Sequence, residues 1–182
     1  MADQGFLDGL TTREVGPDID SSQFKCGEGV DWFLKKVACS YHLKRISRVT
    51  CWMSGRELAG YIATSMSLMQ LYTATQKEQL GLEKVKFHEQ QKNEAKFFPA
   101  FLIGMLGVCE RHQRKGLGSV MVKYAIGEAR AISEAVGCRF VVVDSEKTDK
   151  ALGLYKKNNF TIIEGQDAER ETAWMYFDLG PH

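Results

Sequence analysis

Residues 100–108, AFLIGMLGV, make an almost unbroken apolar run, with Pro99 before it and Glu110 and Arg111 just after it. A run this short cannot cross a bilayer, and it lacks the alternation of a half-exposed strand. It predicts a central strand covered on both faces. The next segment narrows the choice further. Residues 116–136 place Leu117, Val120, Met121, Tyr124, Ile132 and Ala135 on or near one face at helical spacing, and Gly137 follows as a C-terminal cap. Residues 140–143, FVVV, form another strand. Strand, helix and strand in that order predict two parallel neighbours joined by a right-handed crossover.

The rest of the chain fits around this unit. Val30, Phe33, Leu34, Val37, Ala38 and Tyr41 define one face of a helix. Residues 48–53 and 58–64 are β-rich and separated by Ser54-Gly55-Arg56-Glu57, the pattern of a hairpin. A short helix ending near Lys157 and two last strands, near 160–163 and 173–179, complete the set. The fold class is α/β, an α+β mixed central sheet flanked by helices. At 182 residues with 44% apolar content, one core and a single domain over residues 23–182 are expected. Residues 1–22, with turn chemistry around Gly16-Pro17-Asp18, read as a leader of uncertain order. Residues 76–96 are rich in Gln, Glu and Lys, with Leu80, Leu82, Val85 and Phe87 as their larger apolar groups; they read as an exposed helix or a mobile insertion.

Charge excludes less than its distribution suggests. The chain has 24 basic and 23 acidic residues, which gives no overall bias toward nucleic acid or membrane surfaces. Residues 1–20 and 164–182 each hold five acidic residues and one basic, so the body between them is basic. The five cysteines, Cys26, Cys39, Cys51, Cys109 and Cys138, are scattered without a C-x-x-C pair, the usage of reduced thiols. His42, His88, His112 and His182 share no ligand spacing, and no metal is expected. The start, MADQGFLDGL, lacks the basic head and apolar run of a signal peptide, and no stretch is long enough to span a bilayer. A cytoplasmic protein with no membrane partner is expected.

Chemistry concentrates between the central strand and its helix, in Cys109-Glu110-Arg111-His112-Gln113-Arg114-Lys115-Gly116-Leu117-Gly118-Ser119. Glycines let backbone N–H groups turn inward, a helix start adds unsatisfied donors and partial positive charge, and Arg111, Arg114 and Lys115 add full charges. Such a loop suits a pyrophosphate. It also suits an ordinary strand-to-helix connection with solvated charges. No G-x-x-x-x-G-K-[ST] is present and the spacing fails G-x-G-x-x-G, which excludes Walker and Rossmann loops.

Gln113-Arg114-Lys115-Gly116-Leu117-Gly118 resembles the Q/R-x-x-G-x-G/A signature of the GNAT acetyltransferase superfamily, placed as in that family after a strand ending Leu106-Gly107-Val108. Residues 151–160, ALGLYKKNNF, resemble its A-x-x-x-Y-x-x-x-G-F segment, with Asn159 in place of glycine. Asparagine enters the left-handed conformation more readily than most residues, so the replacement is tolerable. The resemblance covers about residues 23–178 and implies the GNAT acyl-CoA N-acyltransferase fold, with acetyl-CoA as cofactor. Leu106, Gly107 and Val108 would meet pantetheine by strand pairing, and Gln113, Arg114, Lys115, Gly116, Leu117, Gly118 and Ser119 would meet the phosphates. Tyr155 would be the catalytic acid, its hydroxyl aimed at the coenzyme sulfur. On residue type alone, Tyr155 reads equally as packing of its helix on the sheet.

A closer resemblance is to the GNAT toxins of bacterial toxin-antitoxin pairs, which acetylate the α-amine of aminoacyl-tRNA. Phe24-Lys25-Cys26-Gly27 before Trp32-Phe33-Leu34 resembles their F-x-C-G opening, Gly60-Tyr61 their G-Y-Y strand, and residues 99–108, PAFLIGMLGV, their P-x-x-L-L-G-R-L-A-V. Met105 departs from the arginine of that pattern, and Thr148 and Lys150 stand where asparagines are common. The resemblance implies aminoacyl-tRNA as acceptor and an antitoxin protein as partner. A small-molecule amine, a protein lysine, or a catalytically silent acyl-CoA-binding module that regulates a partner remain the alternatives.

Amine attack on a thioester needs a neutral nucleophile, donors for the developing oxyanion and a proton for the leaving thiolate. A backbone N–H near Val108 is the candidate donor. Glu110 and Asp144 are the nearest candidates for a base, with a surface ion pair beside Arg111 and a turn cap as their ordinary readings. An α-amine with a pKa near 8 is already partly neutral, so a dedicated base is not required. Lys35, Lys36, Lys44, Arg45 and Arg48, with Arg111, Arg114, Lys156 and Lys157, are candidates for a face that contacts tRNA phosphates. Phe6, Leu7 and Leu10 of the leader are candidates for a homodimer or antitoxin contact.

Overall fold

A computed structural model describes residues 2–86 and 96–180. Its elements run α1 (Gln4–Asp8), β1 (Leu10–Glu14), α2 (Glu28–Lys36), α3 (Ala38–Leu43), β2 (Arg48–Ser54), β3 (Glu57–Gln70), α4 (Ala74–Gln79), β4 (Phe97–Val108), α5 (Leu117–Ala135), β5 (Phe140–Glu146), α6 (Asp149–Lys157), β6 (Thr161–Ile162) and β7 (Thr172–Asp178). The strands form a mixed seven-stranded sheet in the order β1-β2-β3-β4-β5-β7-β6. The expected apolar strand, hairpin, long helix and two last strands are all present. Two compact units divide the chain, Met1–Ser65 with Ile103–Gly127, and Met66–Leu102 with Glu128–His182. Phe87 and His88 of the charged run, and His182, lie outside the described residues.

In the first unit, β1 pairs antiparallel with β2, Leu10 opposite Ser54 and Glu14 opposite Thr50. β2 pairs antiparallel with β3 around Gly55, whose φ of +61° suits the tight turn. The leader therefore supplies an edge strand and a helix, where its sequence had shown only turn chemistry. The first helix of the sequence reading is two helices, because the backbone at Val37 leaves the helical region at φ −127°. α2 begins without a side-chain cap on Gly27. Asp31, one turn inside, takes that role by accepting the Cys26 N–H at 2.8 Å and the Gly27 N–H at 3.3 Å.

The core of this unit gathers on Tyr61, which is fully buried. Its hydroxyl donates to the Val30 carbonyl at 2.7 Å, Phe33 stacks on its ring and Phe24 meets it edge-on. A buried phenol thus packs and satisfies its polar end together. The early part of α5 buries Leu117, Met121, Val122 and Ala125. Ala129 is buried further along, whereas Ala135 is exposed, so the buried face is rotated from the one expected toward the helix end.

In the second unit, β5 pairs antiparallel with β7, Phe140 opposite Asp178, and β7 with β6. Met69, Leu71, Phe98, Ala100, Phe140, Val142, Ile163 and Tyr176 form its core. Residues 76–86 meet the expected exposed helix in part, since α4 runs to Gln79 and Glu78, Gln79, Gly81, Lys84 and Lys86 are exposed, but Gln76, Lys77 and Leu82 are buried. Gln76 is 1% exposed, donates from Nε2 to the Ile162 carbonyl at 3.2 Å and accepts the Glu164 N–H at 3.0 Å. One amide therefore ties α4 to the β6 segment, satisfying polar groups that burial would otherwise penalise.

Candidate active site

The end of β4 is fixed before the basic loop begins. The Cys109 N–H donates to Ala59 O at 2.9 Å and the Glu110 N–H to Lys25 O at 2.8 Å, so two backbone donors next to Val108 already have protein partners. Gly107 is buried where a Cβ would meet Val30 Cγ1 at 2.5 Å. Leu106 and Val108 beside it are half-buried. Gln113 folds back and donates from Nε2 to Val108 O at 2.9 Å, which makes it a brace between strand end and loop.

Residues 110–112 make one 3-10 turn and residues 113–116 then lead into α5. Two residues of this stretch are left-handed, Arg114 at φ +64° and Gly116 at φ +97°. Glycine takes such a φ freely, whereas an L-residue pays about 1–2 kcal/mol, so the shape at Arg114 must be held by its surroundings. The loop delivers Arg114 to solvent and Lys115 to a half-buried position.

Arg111 and His112 face elsewhere. Arg111 Nη2 lies 2.7 Å from Glu57 Oε1, and His112 Nε2 lies 3.4 Å from Glu57 Oε2. The partner of Arg111 is therefore Glu57 and not Glu110, which is exposed. His112 is 8% exposed and stacks on Phe6, with ring centroids 5.1 Å apart and an interplanar angle of 11°. It is a buried residue of the loop, not a surface one. Neither of its ring nitrogens has a hydrogen-bond partner among the described residues. Phe6 and Leu7, candidates for a contact with a second chain, are half-buried against the chain's own loop, with Leu7 Cδ1 3.5 Å from the Cβ position of Gly116.

Tyr155 lies on the buried face of α6, in the second unit. Thr148 caps that helix by accepting the Ala151 N–H at 3.2 Å. At the other end the Tyr155 carbonyl accepts the N–H groups of Asn158 at 2.9 Å and Phe160 at 3.0 Å. Asn159 sits at φ +65°, the left-handed position that the sequence assigned to it. The Tyr155 ring is 5.5 Å from that of Phe160, and the residue is 6% exposed. Its hydroxyl has no hydrogen-bond partner among the described residues. Burial pushes its pKa above the ordinary phenol value and keeps it protonated.

The acidic candidates are otherwise engaged or exposed. Asp144, read as a possible turn cap, is a residue of β5 that accepts from Arg170 Nη2 at 2.7 Å. Among the described residues no group of three or more His, Cys, Asp or Glu side chains gathers in a metal-binding arrangement. The basic face near α2 and α3 is also less basic than its sequence. Lys35 donates to Phe24 O at 2.8 Å, and Glu14 lies 3.4 Å from Arg48 and 3.3 Å from His42. Glu14, His42, Arg45, Ser47 and Arg48 line a surface groove of about 580 Å³.

Residues 68–162, just over half of the chain, match the family described as acetyltransferase (GNAT) domain. This chain belongs to the GNAT acetyltransferase family. Its acetyl donor is acetyl-CoA. The tRNA-acetylating toxin of Mycobacterium tuberculosis is 27% identical over 153 residues, 82% of this GNAT chain and 83% of the toxin. The solved structure of AtaT complexed with acetyl-methionyl-tRNAfMet superposes with a TM-score of 0.73 at 22% identity, over 93% of this chain and 94% of that one. A tyrosine-to-phenylalanine mutant of AtaT, bound to the C-terminus of the antitoxin AtaR and acetyl-CoA, gives a TM-score of 0.68 at 23% identity, over 93% and 92%. No helix among the described residues is long and apolar enough to cross a membrane.

The sequence did not reveal Glu57 as the partner of Arg111 and His112, or Ala2, Asp3 and Phe6 as neighbours of the loop. Glu57 looked like a hairpin residue, and its distance of more than fifty positions from the loop carries no local signal. The leader did carry one: Asp3 caps α1 by accepting the Phe6 N–H at 3.1 Å, an arrangement legible as an acidic residue three positions before an apolar pair.

Proposed function

We propose that this chain transfers the acetyl group of acetyl-CoA to the α-amine of aminoacyl-tRNA and acts in the cytoplasm, where both substrates occur. Likeness to the tRNA-acetylating toxin along 82% of the chain carries the choice of acceptor. Acetyl-CoA supplies an activated acyl thioester. Residues 113–119 hold its pyrophosphate, with Arg114 and Lys115 adding charge to the backbone donors. The main chain of Leu106, Gly107 and Val108 pairs with the pantetheine arm as an added strand would.

Tyr155 supplies the proton. As the amine nitrogen bonds to the acetyl carbon and the carbon–sulfur bond breaks, the Tyr155 hydroxyl protonates the departing sulfur and is reprotonated from solvent. The nitrogen loses its own proton to water. No carboxylate is needed as base, because an α-amine of pKa near 8 is roughly one-tenth neutral at pH 7. Asp144, held by Arg170, and Glu110, exposed at the strand end, are assigned no proton-transfer role. An antitoxin protein is the expected partner, by analogy with the complex of AtaT and AtaR.

Glu14 and Asp31, which offset the basic residues near α2 and α3, favour a second reading in which the acceptor is a small amine or a lysine side chain. Incubation of the protein with labelled acetyl-CoA and total charged tRNA separates the two. Nuclease digestion followed by mass spectrometry should yield N-acetylaminoacyl-adenosine. Label found only in free amines or peptides would replace the tRNA reading with the second one.

A further inference from the structure

We infer that the N-terminal segment, residues 2–7, is a positioning element for the donor's pyrophosphate, with Phe6 as its principal side chain. The inference rests on the assignment of residues 113–119 to that pyrophosphate. The segment meets the loop at every level of its structure. The Asp3 N–H donates to the Lys115 carbonyl at 3.0 Å. A methyl group built on Gly116 would lie 2.8 Å from the Ala2 Cβ, so Ala2 fills the space that glycine leaves. One face of Phe6 stacks on His112, and the Lys115 ammonium lies 4.6 Å from the centroid of the same ring.

The loop needs such support. Its left-handed residues, Arg114 and Gly116, hold a conformation that an unbraced chain leaves readily. Anion binding by backbone donors depends on those donors converging before the ligand arrives. α1 has five residues, too few to be stable alone, so its order depends on the Asp3 cap and on docking against the loop. Docking in turn limits the freedom of the Lys115 side chain through the ring beneath it, which lowers the entropy still to be lost on binding. Phe6 has no polar group and donates nothing to a phosphate. It acts through Lys115, His112 and the turn at Gly116.

Comparing acetyl-CoA with acetyl-pantetheine, which lacks the pyrophosphate, isolates this role. Both donors are assayed with one acceptor, using wild type, Phe6→Ala, Phe6→Leu and Phe6→Tyr, with unfolding temperatures measured in parallel. Wild type should prefer acetyl-CoA in kcat/KM; equal use of both donors would overturn the pyrophosphate assignment itself. Phe6→Ala should raise KM for acetyl-CoA about five- to thirty-fold with kcat little changed, and leave KM for acetyl-pantetheine as in wild type. Phe6→Leu, which keeps apolar bulk without an aromatic face, should show a smaller rise of the same kind, and Phe6→Tyr should match wild type. If the preference for acetyl-CoA survives intact in Phe6→Ala and Phe6→Leu, or KM rises equally for both donors, the inference fails. A fall in KM for acetyl-CoA also overturns it, since the segment would then compete with the donor.

Discussion

Replacing Gly107 by alanine adds one methyl group where β4 has no room for it. That methyl would lie 2.5 Å from Val30 Cγ1, 3.0 Å from Tyr61 Cε1 and 3.2 Å from Phe24 Cζ. Carbon atoms pack best at about 3.5–4.0 Å, so Val30 has to withdraw by about 1 Å or more. Val30 does not move alone, because its carbonyl accepts the Tyr61 hydroxyl at 2.7 Å and Tyr61 is fully buried. Overpacking of this kind costs about 1–3 kcal/mol, and stretching the hydrogen bond of a buried phenol adds about 1 kcal/mol. Gly107→Ala should therefore lose about 2–4 kcal/mol and lower Tm by roughly 5–15 °C for a chain of this size. Val30→Ala removes the colliding atom. Thermal or urea unfolding of wild type, both single variants and the double variant should show the two changes compensating by about 1–2 kcal/mol. If Gly107→Ala unfolds with wild type, or the two losses simply add, the packing argument is wrong.

Further predictions concern the site and its supports. Tyr155→Phe should lower kcat by about 10²–10⁴ while leaving Tm and the KM for acetyl-CoA near wild type, because the lost hydroxyl has no partner among the described residues; steady-state kinetics and calorimetry check both halves. In a pH series, kcat/KM should rise with pH through the amine's pKa near 8 and show no descending limb from Tyr155 up to about pH 10, since burial raises the phenol's pKa and the donor form persists across that range. Asn159→Ala should cost about 1 kcal/mol in urea unfolding and Asn159→Gly much less, as expected for a residue at φ +65°. Gln76→Leu should cost about 1–3 kcal/mol by the same measurement, because it removes the two hydrogen bonds that this buried amide makes to the Ile162 carbonyl and the Glu164 N–H.

Local chemistry made much of this protein legible before its structure. The apolar run of β4, the glycine-basic loop before α5 and the left-handed Asn159 each announce themselves through residue types that few other conformations accept. Residue type alone left the loop at 113–119 and Tyr155 with ordinary structural readings, and their proposed roles came from the family resemblance. Long-range pairing carries no such mark. Glu57 pairs with Arg111 and comes near His112 only once the β2–β3 hairpin is folded, and Gln76 shows its role only when Ile162 and Glu164 are beside it. Composition misled most at Gln76, a polar residue that is buried while its partners belong to the exposed residues Ile162 and Glu164. The break at Val37 lay in a continuous helical pattern, and backbone geometry rather than periodicity ends α2 there.

Acetyl transfer to charged against deacylated tRNA, measured for wild type and Tyr155→Phe at saturating acetyl-CoA, tests the central claim most directly. The account predicts label only on charged tRNA, on the α-amine, with the rate falling at least a hundredfold in Tyr155→Phe. Equal labelling of deacylated tRNA, or a Tyr155→Phe rate equal to wild type, would contradict it.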